Sequence, residues 1–442
     1  MKDNNTRRLS RRSFLEKSAV GLAGVTIFPR LMGCSPKSTE SANGNLNLGF
    51  IGMGQQSMFL LRGFMGIEGV RAVAGSDVYG IKRQRFEKRV TDFYSEKGIK
   101  SEVKTYEKYQ DLLAREDIDA VVIAVPDHWH ALIAIDALKA GKDVYLEKPL
   151  TLTIKEGMML RSAVRKYNRI LGVGSQQRSD PNFQAAVKLV QEGKIGQLEK
   201  INAYVGAPPK PYDLPEEPVP SDLNWDLWLG PNPYVHYNKE LNPPITLEPE
   251  QNEQFWGGWR WYKELGGGFT TDWGAHMFDI AQWGLQMDNS GPVEITPAGY
   301  QDFKFLTYKY QNGVIMTEEP FNAEMTKGVK FWGKDGWIEI SREFFKASNS
   351  ELVSNAEKES GPYETKIPHQ QNFIEAVKNR KDPVVPVEIG HRSCTVCTLG
   401  NISYELGRPV KWDPEKESFG DDAESNALLH RTYREGYQLP IV

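Results

Sequence analysis

Between residues 46 and 174, short apolar runs alternate with segments in which apolar positions recur at helical spacing. The run at 120–126 is continuously apolar and rich in β-branched side chains, as in a strand buried on both faces. This alternation predicts a parallel sheet with crossover helices. The predicted strands are 46–52, 70–76, 120–126, 143–146 and 170–174, and the predicted helices are 55–65, 130–140 and 154–167.

The pattern changes after residue 175, where several strands of alternating polarity follow one another. Such strands form antiparallel sheets, so this region predicts an α+β domain with a large, mostly antiparallel open sheet. Residues 208–262 form an insertion rich in proline and aromatic residues. The predicted strands here are 198–205, 294–298, 302–310, 313–318, 328–332 and 336–340, and the predicted helices are 182–192, 270–285, 370–378, 389–406 and 421–433.

The first 33 residues have the pattern of an export signal. A twin-arginine sequence at 10–15 precedes an apolar run at 19–25, which is shorter than the ~20 residues of a membrane span. The sequence Leu-Met-Gly-Cys at 31–34 is similar to a bacterial lipobox. We therefore expect a signal at 1–33, a lipid anchor on Cys34 and a tether at 34–45. The protein would then be periplasmic or a membrane-anchored lipoprotein.

The charge distribution separates this segment from the rest of the chain. Residues 1–33 carry seven Lys or Arg against two acidic residues, and the whole chain of 442 residues has a net charge of −4, so residues 34–442 sum to −9. Binding to nucleic acid requires a basic surface that offsets the phosphate charge. We therefore expect no nucleic-acid partner.

A glycine-rich turn joins the first predicted strand to the first predicted helix. Gly52, Gly54 and the small Ser57 have the G-x-G-x-x-[GAS] spacing of Rossmann dinucleotide-binding domains. Asp77 ends the second strand, where an acid binds the adenosine ribose. The sequence therefore predicts an α/β chain, with an N-terminal Rossmann domain at 46–174 and the α+β domain at 175–442.

The charges near this turn indicate which nucleotide fits. Asp77 should repel a 2′-phosphate and favour NAD over NADP, although Lys82, Arg83 and Arg85 lie close in sequence and weaken that preference. Free NAD is absent from the periplasm, so an exported enzyme has to carry its nucleotide with it. We therefore expect tightly bound NAD, with NADP as the less favoured cofactor.

Two further strand ends carry polar residues. Pro126, Asp127 and His130 follow the buried strand, and Lys148 follows the next one, so both segments face the crevice in which a doubly wound sheet binds ligands. A partly desolvated amine there can polarise a hydroxyl or carbonyl oxygen. The alternatives stay open: Asp127 caps the helix with His130 packed in its first turn, and Lys148 is an ordinary solvated lysine.

A predicted helix carries Asp272 and His276 four residues apart, and therefore on one face. An imidazole with a carboxylate partner is a plausible general base near neutral pH, and the alternative is an ion pair on the helix surface. Cys394 and Cys397 form a C-x-x-C inside another predicted helix, without the second pair of ligands that a metal site needs. We expect two packed thiols and no metal.

Together these motifs resemble, in order and context, those of the Gfo/Idh/MocA oxidoreductase family over residues 46–410. The likeness implies a Rossmann domain, a second domain whose open sheet forms homo-oligomers, and catalysis by Lys148, Asp272 and His276. The export signal and the Trp-containing block at 225–231 are similar to an exported branch of Bacteroidetes-type bacteria. The cofactor contacts that we expect from the resemblance are Gly52, Gly54, Gln55, Asp77, Pro126, His130, Glu147, Lys148, Gln176 and Arg178.

The aromatic insertion at 208–262 points to a sugar as the substrate. Five of the eleven Trp lie there, and flat aromatic faces stack on the C–H faces of pyranose rings. The expected substrate contacts are Trp259, Arg260, Tyr262 and His236. The alternative is that these aromatics mostly pin the loop onto the core.

We favour an NAD-dependent oxidoreductase that oxidises or reduces a secondary alcohol of a sugar or glycoside. His276 would take the hydroxyl proton, Lys148 would stabilise the oxyanion and Asp272 would orient the imidazole. The first alternative is a glycosidase that uses bound NAD transiently, although such relatives carry another residue at the position of Lys148. The second is a sugar-binding protein without catalysis, against which the intact set of three residues argues.

Overall fold

The computed structural model describes residues 44–248, 256–357 and 367–442. The predicted export signal, Cys34 and most of the predicted tether lie outside the described residues. Within those ranges, no helix combines the length and the apolar character that crossing a membrane requires.

The first sheet has six parallel strands in the order β3-β2-β1-β4-β5-β6, which is the strand order of a Rossmann domain and confirms the predicted fold. Its strands are β1 Leu46–Ile51, β2 Val70–Ser76, β3 Lys104–Tyr106, β4 Ala120–Ile123, β5 Asp143–Leu146 and β6 Leu171–Val173. The helices between and after them are α1 Gln55–Met65, α2 Gly80–Glu96, α3 Tyr109–Leu113, α4 Asp127–Lys139 and α5 Ile154–Tyr167. Strand β4 is buried along its whole length, as its apolar sequence predicts.

The second sheet contains strands β7 Leu198–Tyr204, β8 Glu294–Thr296, β9 Thr307–Lys309, β10 Ile315–Thr317, β11 Gly328–Gly333, β12 Gly336–Ser341, β13 Phe345–Ala347 and β14 Val410–Lys411. Their order is β13-β12-β11-β7-β10-β9-β8-β14, and among these strands only β7 and β10 are parallel neighbours. This confirms the predicted, mostly antiparallel sheet. The remaining helices are α6 Pro181–Gln191, α7 Trp225–Leu229, α8 Gly268–Asp272, α9 Gly274–Gly284, α10 Ser350–Glu357, α11 Ile367–Asn379, α12 Val387–Leu406 and α13 Ala423–Ala427.

The core of the second sheet lies between its inner face and helix α9. Tyr308 of β9 packs edge-on against Phe278 of α9, with ring centroids 5.4 Å apart. Phe331 of β11 lies against Gly284, where an added Cβ would approach the Phe331 ring to 2.4 Å. The glycine therefore sets how closely the helix approaches the sheet.

Helix α11 packs on the first sheet, although it lies far beyond the predicted domain boundary in the chain. Its Phe373 contacts Phe64 of α1 and Tyr145 of β5, with ring centroids 6.2 and 5.6 Å apart. The side chain of Gln370 donates to the carbonyl oxygen of Leu60 at 3.1 Å. A late segment of the chain thus completes the core of the Rossmann sheet.

Three predicted helices need correction. The helix after β4 begins at Asp127 rather than at residue 130, because Pro126 occupies its N-cap. The helix predicted at 270–285 is divided at Trp273 into α8 and α9. The helix predicted at 421–433 is helical only in α13, because the backbone beyond it bonds to another element: the carbonyl oxygen of Leu429 accepts from the N–H of Lys155 at 2.8 Å.

Residues 77–119 contain α2, β3 and α3, for which the sequence pattern led to no prediction. Eight of the 17 residues of α2 are charged, and its buried apolar residues Phe86, Val90 and Tyr94 form a stripe only one residue wide. Such a narrow stripe is a weak periodic signal, since a helix facing a core usually shows a wider one.

Replacing Phe331 by Ala should lower the free energy of unfolding by about 3–5 kcal/mol, because the fully buried ring fills the space between α9 and the sheet. Unfolding in urea measures the change. The control is Lys309→Ala on the exposed side of β9, which should change the free energy by less than about 0.5 kcal/mol. Equal effects of the two substitutions would contradict the position of this core.

Candidate active site

The glycine turn between β1 and α1 has the geometry that phosphate binding requires. Gly52 has a φ of +80°, and a Cβ there would lie 2.5 Å from the carbonyl oxygen of Ala124, so the turn requires glycine. Gly54 faces open space, since nothing lies within 4 Å of a Cβ built on it. Ser57 is fully buried one turn into α1. The first N–H groups of α1 are therefore open to an anion.

Asp77 lies beside this turn, just after β2. Its carboxylate accepts from the backbone N–H of Met53 at 2.7 Å and from that of Tyr79 at 2.9 Å. Each oxygen makes one of these bonds and keeps acceptor capacity for a hydroxyl. The carboxylate is thus held in place where the hydroxyls of a ribose would meet it.

A cavity of about 950 Å³ contains both features, and we call it the nucleotide cleft. Its walls include Gly52, Gly54 and Asp77, together with the predicted contacts Gln55 and Pro126. The volume lies at the upper end of ligand pockets, which are roughly 300–1,000 Å³. Open N–H groups and a fixed carboxylate in one long cavity fit the pyrophosphate and a ribose of a dinucleotide.

A second cavity of about 310 Å³ adjoins the cleft, and we call it the reaction cavity. Gln56, Trp256 and Arg260 line both cavities. The structure brings the three predicted catalytic residues together here. The side chains around the reaction cavity include Phe59, Asp127, Glu147, Lys148, Gln176, Trp259, Trp261, Phe269, Asp272, Trp273, His276 and Arg342.

A partly buried ion pair lines the reaction cavity. The ammonium of Lys148 donates to Asp272 Oδ1 at 2.9 Å and to the main-chain oxygen of Asp272 at 3.0 Å, and Arg260 Nε lies 3.4 Å from the same Oδ1. Burial by itself raises the pKa of Asp272, but the charges of Lys148 and Arg260 outweigh it, so the pKa is lowered. The ionised carboxylate positions the ammonium, which has a third N–H for a ligand oxygen.

His276 is held by Arg342 rather than by Asp272, so the predicted orienting role of Asp272 is wrong. Arg342 Nη2 lies 2.9 Å from His276 Nε2, and the same group donates to Gln177 Oε1 at 3.2 Å. A guanidinium can only donate, so Nε2 of the neutral imidazole is an acceptor here. The carboxylate of Asp272 faces Lys148 and Arg260 instead, although four-residue spacing allows both contacts.

Asp127 is a titratable group of the reaction cavity that the sequence analysis treated as a possible helix cap. The cap interpretation is wrong, because Pro126 occupies the N-cap and no side-chain capping bond is made. The residue is 5% exposed. Burial raises the pKa of Asp127 to about 7, opposed by the charge of Arg260 and assisted by that of Asp272. Asp127 therefore exchanges a proton near neutral pH.

His130 joins two loops and lines neither cavity, so the structure gives its predicted cofactor contact no support. Its Nδ1 lies 2.8 Å from the carbonyl oxygen of Pro149, and its Nε2 lies 3.0 Å from that of Val125. Burial lowers the pKa of His130 to about 4. The imidazole ties the loop that carries Lys148 to the loop after β4.

Glu147 and Gln176 line the reaction cavity next to Gln56, which lines both cavities. Glu147 Oε1 accepts from Gln56 Nε2 at 2.9 Å and from Gln176 Nε2 at 3.2 Å, and Gln176 also donates to the hydroxyl of Tyr145 at 3.3 Å. Both residues line the reaction cavity. Their predicted place near the cofactor is therefore compatible with the structure.

Arg178 lines neither cavity, so the structure gives its predicted cofactor contact no support. Its guanidinium is 2% exposed and pairs with Asp279 at 2.9 Å and Asp288 at 2.7 Å. A charge buried this deeply needs carboxylate partners, which the second domain supplies. Arg178 thus joins the segment after β6 to α9 and the loop beyond it.

The four predicted substrate contacts divide into two pairs. Trp259 and Arg260 line the reaction cavity, where the guanidinium of Arg260 stacks over the Trp259 ring at 4.3 Å. Tyr262 and His236 line neither cavity, so the two cavities give their predicted substrate contact no support. Tyr262 packs within the insertion, and His236 Nε2 lies 2.7 Å from the carbonyl oxygen of Leu214, as in the alternative that aromatics pin the loop.

Cys394 and Cys397 are buried as free thiols on α12. In the three described ranges, no group of three His, Cys, Asp or Glu side chains could hold a metal ion.

Two family models match the chain. A model described as "Oxidoreductase family, NAD-binding Rossmann fold" covers residues 46–175, and one described as "Oxidoreductase family, C-terminal alpha/beta domain" covers residues 209–439. The second alone spans more than half of the chain. The first coincides with the six-stranded sheet, and the second covers the insertion and every strand of the eight-stranded sheet except β7.

Curated relatives match over shorter lengths. The chain is similar to a glycosyl hydrolase family 109 protein of Shewanella sp. (strain ANA-3), with 35% identity over 159 residues, which are 33% of this chain and 35% of the relative. It is also similar to the uncharacterized oxidoreductase YrbE of Bacillus subtilis, with 38% identity over 103 residues, 23% of this chain and 30% of that one. The matches thus span about a third of these relatives.

Solved structures share the fold over most of the chain. The WlbA dehydrogenase of Chromobacterium violaceum, in complex with NADH and UDP-GlcNAcA, has a TM-score of 0.59 at 16% identity, covering 85% of this chain and 98% of that one. A myo-inositol 2-dehydrogenase of Lactobacillus plantarum has a TM-score of 0.53 at 19% identity, covering 83% and 99%. At these identities the likeness concerns the fold.

Asp127→Asn should stabilise the protein at pH 8 by up to about 4 kcal/mol and have little effect at pH 4. The folded carboxyl has a pKa of about 7 against 3.8 for the free group, so the folded state loses stability as the pH rises through this interval. Urea unfolding at both pH values measures the effect. The exposed Asp302→Asn is the control, and equal stabilisation by Asp127→Asn at both pH values would contradict the raised pKa.

Proposed function

The chain belongs to the Gfo/Idh/MocA oxidoreductase family, and we propose that it is an NAD-dependent enzyme that oxidises or reduces a secondary alcohol of a sugar or glycoside. The observation that carries this proposal is the meeting of Lys148, Asp272 and His276 in a cavity that adjoins the nucleotide cleft. Lys148 comes from the end of β5 in the first sheet, whereas Asp272 and His276 come from α8 and α9.

NAD rather than NADP is the nucleotide that this cleft favours. The carboxylate of Asp77 would repel a 2′-phosphate, and the three nearby cations bond protein oxygens. Arg83 donates to the main-chain oxygen of Asp77 at 2.6 Å, Lys82 to Asn242 Oδ1 at 2.8 Å and Arg85 to the main-chain oxygen of Met53 at 3.4 Å. When bound, the nicotinamide ring would accept or return the hydride.

Lys148, His276 and Asp127 would each have a different part in stabilising charge and transferring protons. Lys148, positioned by Asp272, would donate its third N–H to the substrate oxygen and stabilise negative charge there. His276 Nε2 would accept the hydroxyl proton, with the substrate hydroxyl replacing Arg342 as the donor to this nitrogen. Asp127, whose pKa is raised to about 7, would exchange protons in the same cavity near neutral pH.

A sugar ring is the substrate class that suits the walls of the reaction cavity. Trp261 and Phe269 stack with ring centroids 4.0 Å apart and line the cavity together with Phe59 and Trp273. The volume of about 310 Å³ is at the lower end of ligand pockets and suits one ring better than a polymer. Solved relatives whose names mention myo-inositol and UDP-GlcNAcA support a polyhydroxylated substrate.

A second candidate function is an NAD-dependent glycosidase with transient oxidation and elimination. Relatives named as glycosyl hydrolase family 109 proteins and an alpha-N-acetylgalactosaminidase support it. Lys148 argues against it, because the resemblance implies another residue at this position in such enzymes. Oxidoreductase chemistry therefore remains the first proposal.

We also propose that the enzyme works outside the cytoplasm, anchored through a lipid on Cys34, since the sequence before residue 34 has the pattern of an export signal. Homo-oligomer formation through the second sheet is the proposed assembly. Its outer face carries the residues Ile315 and Trp332, which are 41% and 36% exposed.

Lys148→Met should lower kcat by about 10²–10⁴-fold, because the substrate oxygen loses its charged donor. The rate is that of sugar-dependent reduction of the nucleotide, and the absorbance of NADH monitors it. Lys188→Met on the exposed side of α6 is the control and should leave kcat unchanged. Unchanged turnover in Lys148→Met would contradict the proposed mechanism.

The two candidate functions differ in stoichiometry. The oxidoreductase should oxidise a free sugar or glycoside with net formation of NADH or consumption of an added acceptor. A glycosidase should release the aglycone of a glycoside without net redox change. Measuring NADH and released aglycone in one reaction separates them, and aglycone release without NADH or acceptor demand would overturn the first proposal.

A further inference from the structure

Arg342 lines the reaction cavity and contacts the nitrogen that the proposed reaction needs as a base. Its Nη2 lies 2.9 Å from His276 Nε2, and a guanidinium can only donate, so the lone pair of this nitrogen is occupied. We propose that Arg342 determines substrate specificity, and that the substrate is a sugar acid whose carboxylate draws the guanidinium away from His276. This inference rests on the proposed function and deepens it by naming the substrate class.

The backbone that carries Arg342 is held in a tight turn between β12 and β13. The N–H of Ser341 donates to the carbonyl oxygen of Phe344 at 2.9 Å. The hydroxyl of Ser341 accepts from the N–H groups of Glu343 and Phe344 at 3.0 and 3.1 Å. The long side chain of Arg342 has several rotatable bonds beyond this turn. Its guanidinium can therefore change partners while the main chain stays in place.

The guanidinium of Arg342 contacts three uncharged side chains. Its Nε and Nη2 donate to Gln177 Oε1 at 3.3 and 3.2 Å, and Nη2 also bonds to the neutral imidazole of His276. Its Cζ lies 4.7 Å from the centroid of the Trp273 ring. Bonds between a guanidinium and a carboxylate are shorter and stronger than those to neutral groups, and they are frequently bidentate. A carboxylate that reaches Arg342 would therefore replace His276 as its partner.

The charges around the reaction cavity suit a negatively charged ligand. The walls contain the cations Lys148, Arg260 and Arg342 and the carboxyl groups of Asp127, Glu147 and Asp272. Burial raises the pKa of Asp127 to about 7, so below pH 7 the cations outnumber the ionised carboxyl groups. A fourth cation, Lys327, lies 5.0 Å from the centroid of the Trp273 ring on the cavity wall. An anion that enters the cavity is thus attracted rather than repelled.

The size of the reaction cavity favours a carboxylate over a phosphate as the charged group. The cavity of about 310 Å³ is at the lower end of ligand pockets. In a uronic acid the carboxylate takes the place of the terminal CH₂OH group, so the acid is no larger than the neutral sugar, whereas a phosphate ester adds a group. Because Arg342 is one hydrogen bond away from His276, the carboxylate belongs to the same ring as the alcohol that is oxidised.

The exchange of partners couples binding of the acid to the proton transfer. Once the carboxylate has paired with Arg342, His276 Nε2 can accept the proton of the substrate hydroxyl. The carbon of this alcohol gives its hydride to the bound NAD⁺, a ketone remains, and the proton passes from His276 to solvent after the product leaves. The protonated imidazole is repelled less by a guanidinium that is paired with a carboxylate than by an unneutralised one. A neutral sugar has to compete with Arg342 for Nε2 instead.

The test compares each sugar acid with its own methyl ester, which has the same ring and no charge. The substrates are the methyl glycosides of glucuronic, galacturonic and mannuronic acid, their methyl esters, and the parent methyl hexosides with and without a 6-phosphate. Each is incubated with the full-length protein and NAD⁺, and formation of NADH gives kcat/KM. We expect the acid of the recognised sugar to be oxidised about 10–100-fold more efficiently than its ester.

Three variants test whether Arg342 causes this preference. In Arg342→Met, the acid and its ester should be oxidised equally well, because neither meets a guanidinium. Arg342→Lys keeps the charge but loses the fork of donors, so its preference should lie between those of Arg342→Met and wild type. Lys346→Met removes an exposed cation from the same hairpin and should keep the wild-type preference. The ratio compares two substrates in one protein, so a partial loss of folded enzyme does not change it.

The outcomes separate this inference from the proposed function. An ester or a 6-phosphate that is preferred to the acid overturns the assignment of a sugar acid, and an acid preference that survives in Arg342→Met overturns the role of Arg342. In these cases the proposed function stands, because a sugar is still oxidised with formation of NADH. A wild-type protein that forms NADH from none of these sugars overturns both.

Discussion

The ion pair between Lys148 and Asp272 is the contact on which the site depends, because it joins the first sheet to the helices that cover the second. The partly buried carboxylate of Asp272 has lost much of its hydration, and the charges of Lys148 and Arg260 offset that loss. The pair also decides the other electrostatics of the cavity. Because Asp272 contacts Lys148, the partner of the His276 imidazole is Arg342. The charge of Asp272 also helps to keep Asp127 protonated near neutral pH.

The reaction cavity contains residues that lower the stability of the fold but suit proton transfer. Hydrophobic residues at the position of Asp127 would avoid the cost of a buried carboxyl, and a carboxylate beside His276 would be the ordinary partner for an imidazole. The structure holds an acid of raised pKa and a guanidinium at these positions instead. Several residues that are unfavourable for stability and line the same cavity are typical of functional sites rather than of structural cores.

Much of the fold and the chemistry of the site could be predicted from the sequence. The strands have clear periodic patterns, and the positions of Gly52 and Lys148 follow from strand ends that meet at one edge of a parallel sheet. The partners of Asp272 could not be predicted, since helical spacing shows which residues share a face but not what lies opposite. Arg342, 66 residues after His276, and Arg178, with its carboxylates, depend on tertiary packing that no local pattern records.

The core of the six-stranded sheet is complete only when helix α11, which lies late in the chain, has been synthesised. Phe64 and Tyr145 lack part of their packing until Phe373 has emerged, about two hundred residues after the last strand of the six-stranded sheet. The nucleotide-binding half therefore cannot finish its core during synthesis of its own segment, and its final folding step follows translation of nearly the entire polypeptide. A nascent chain would expose an incomplete sheet for most of its time on the ribosome, and cytoplasmic chaperones would encounter it in that form.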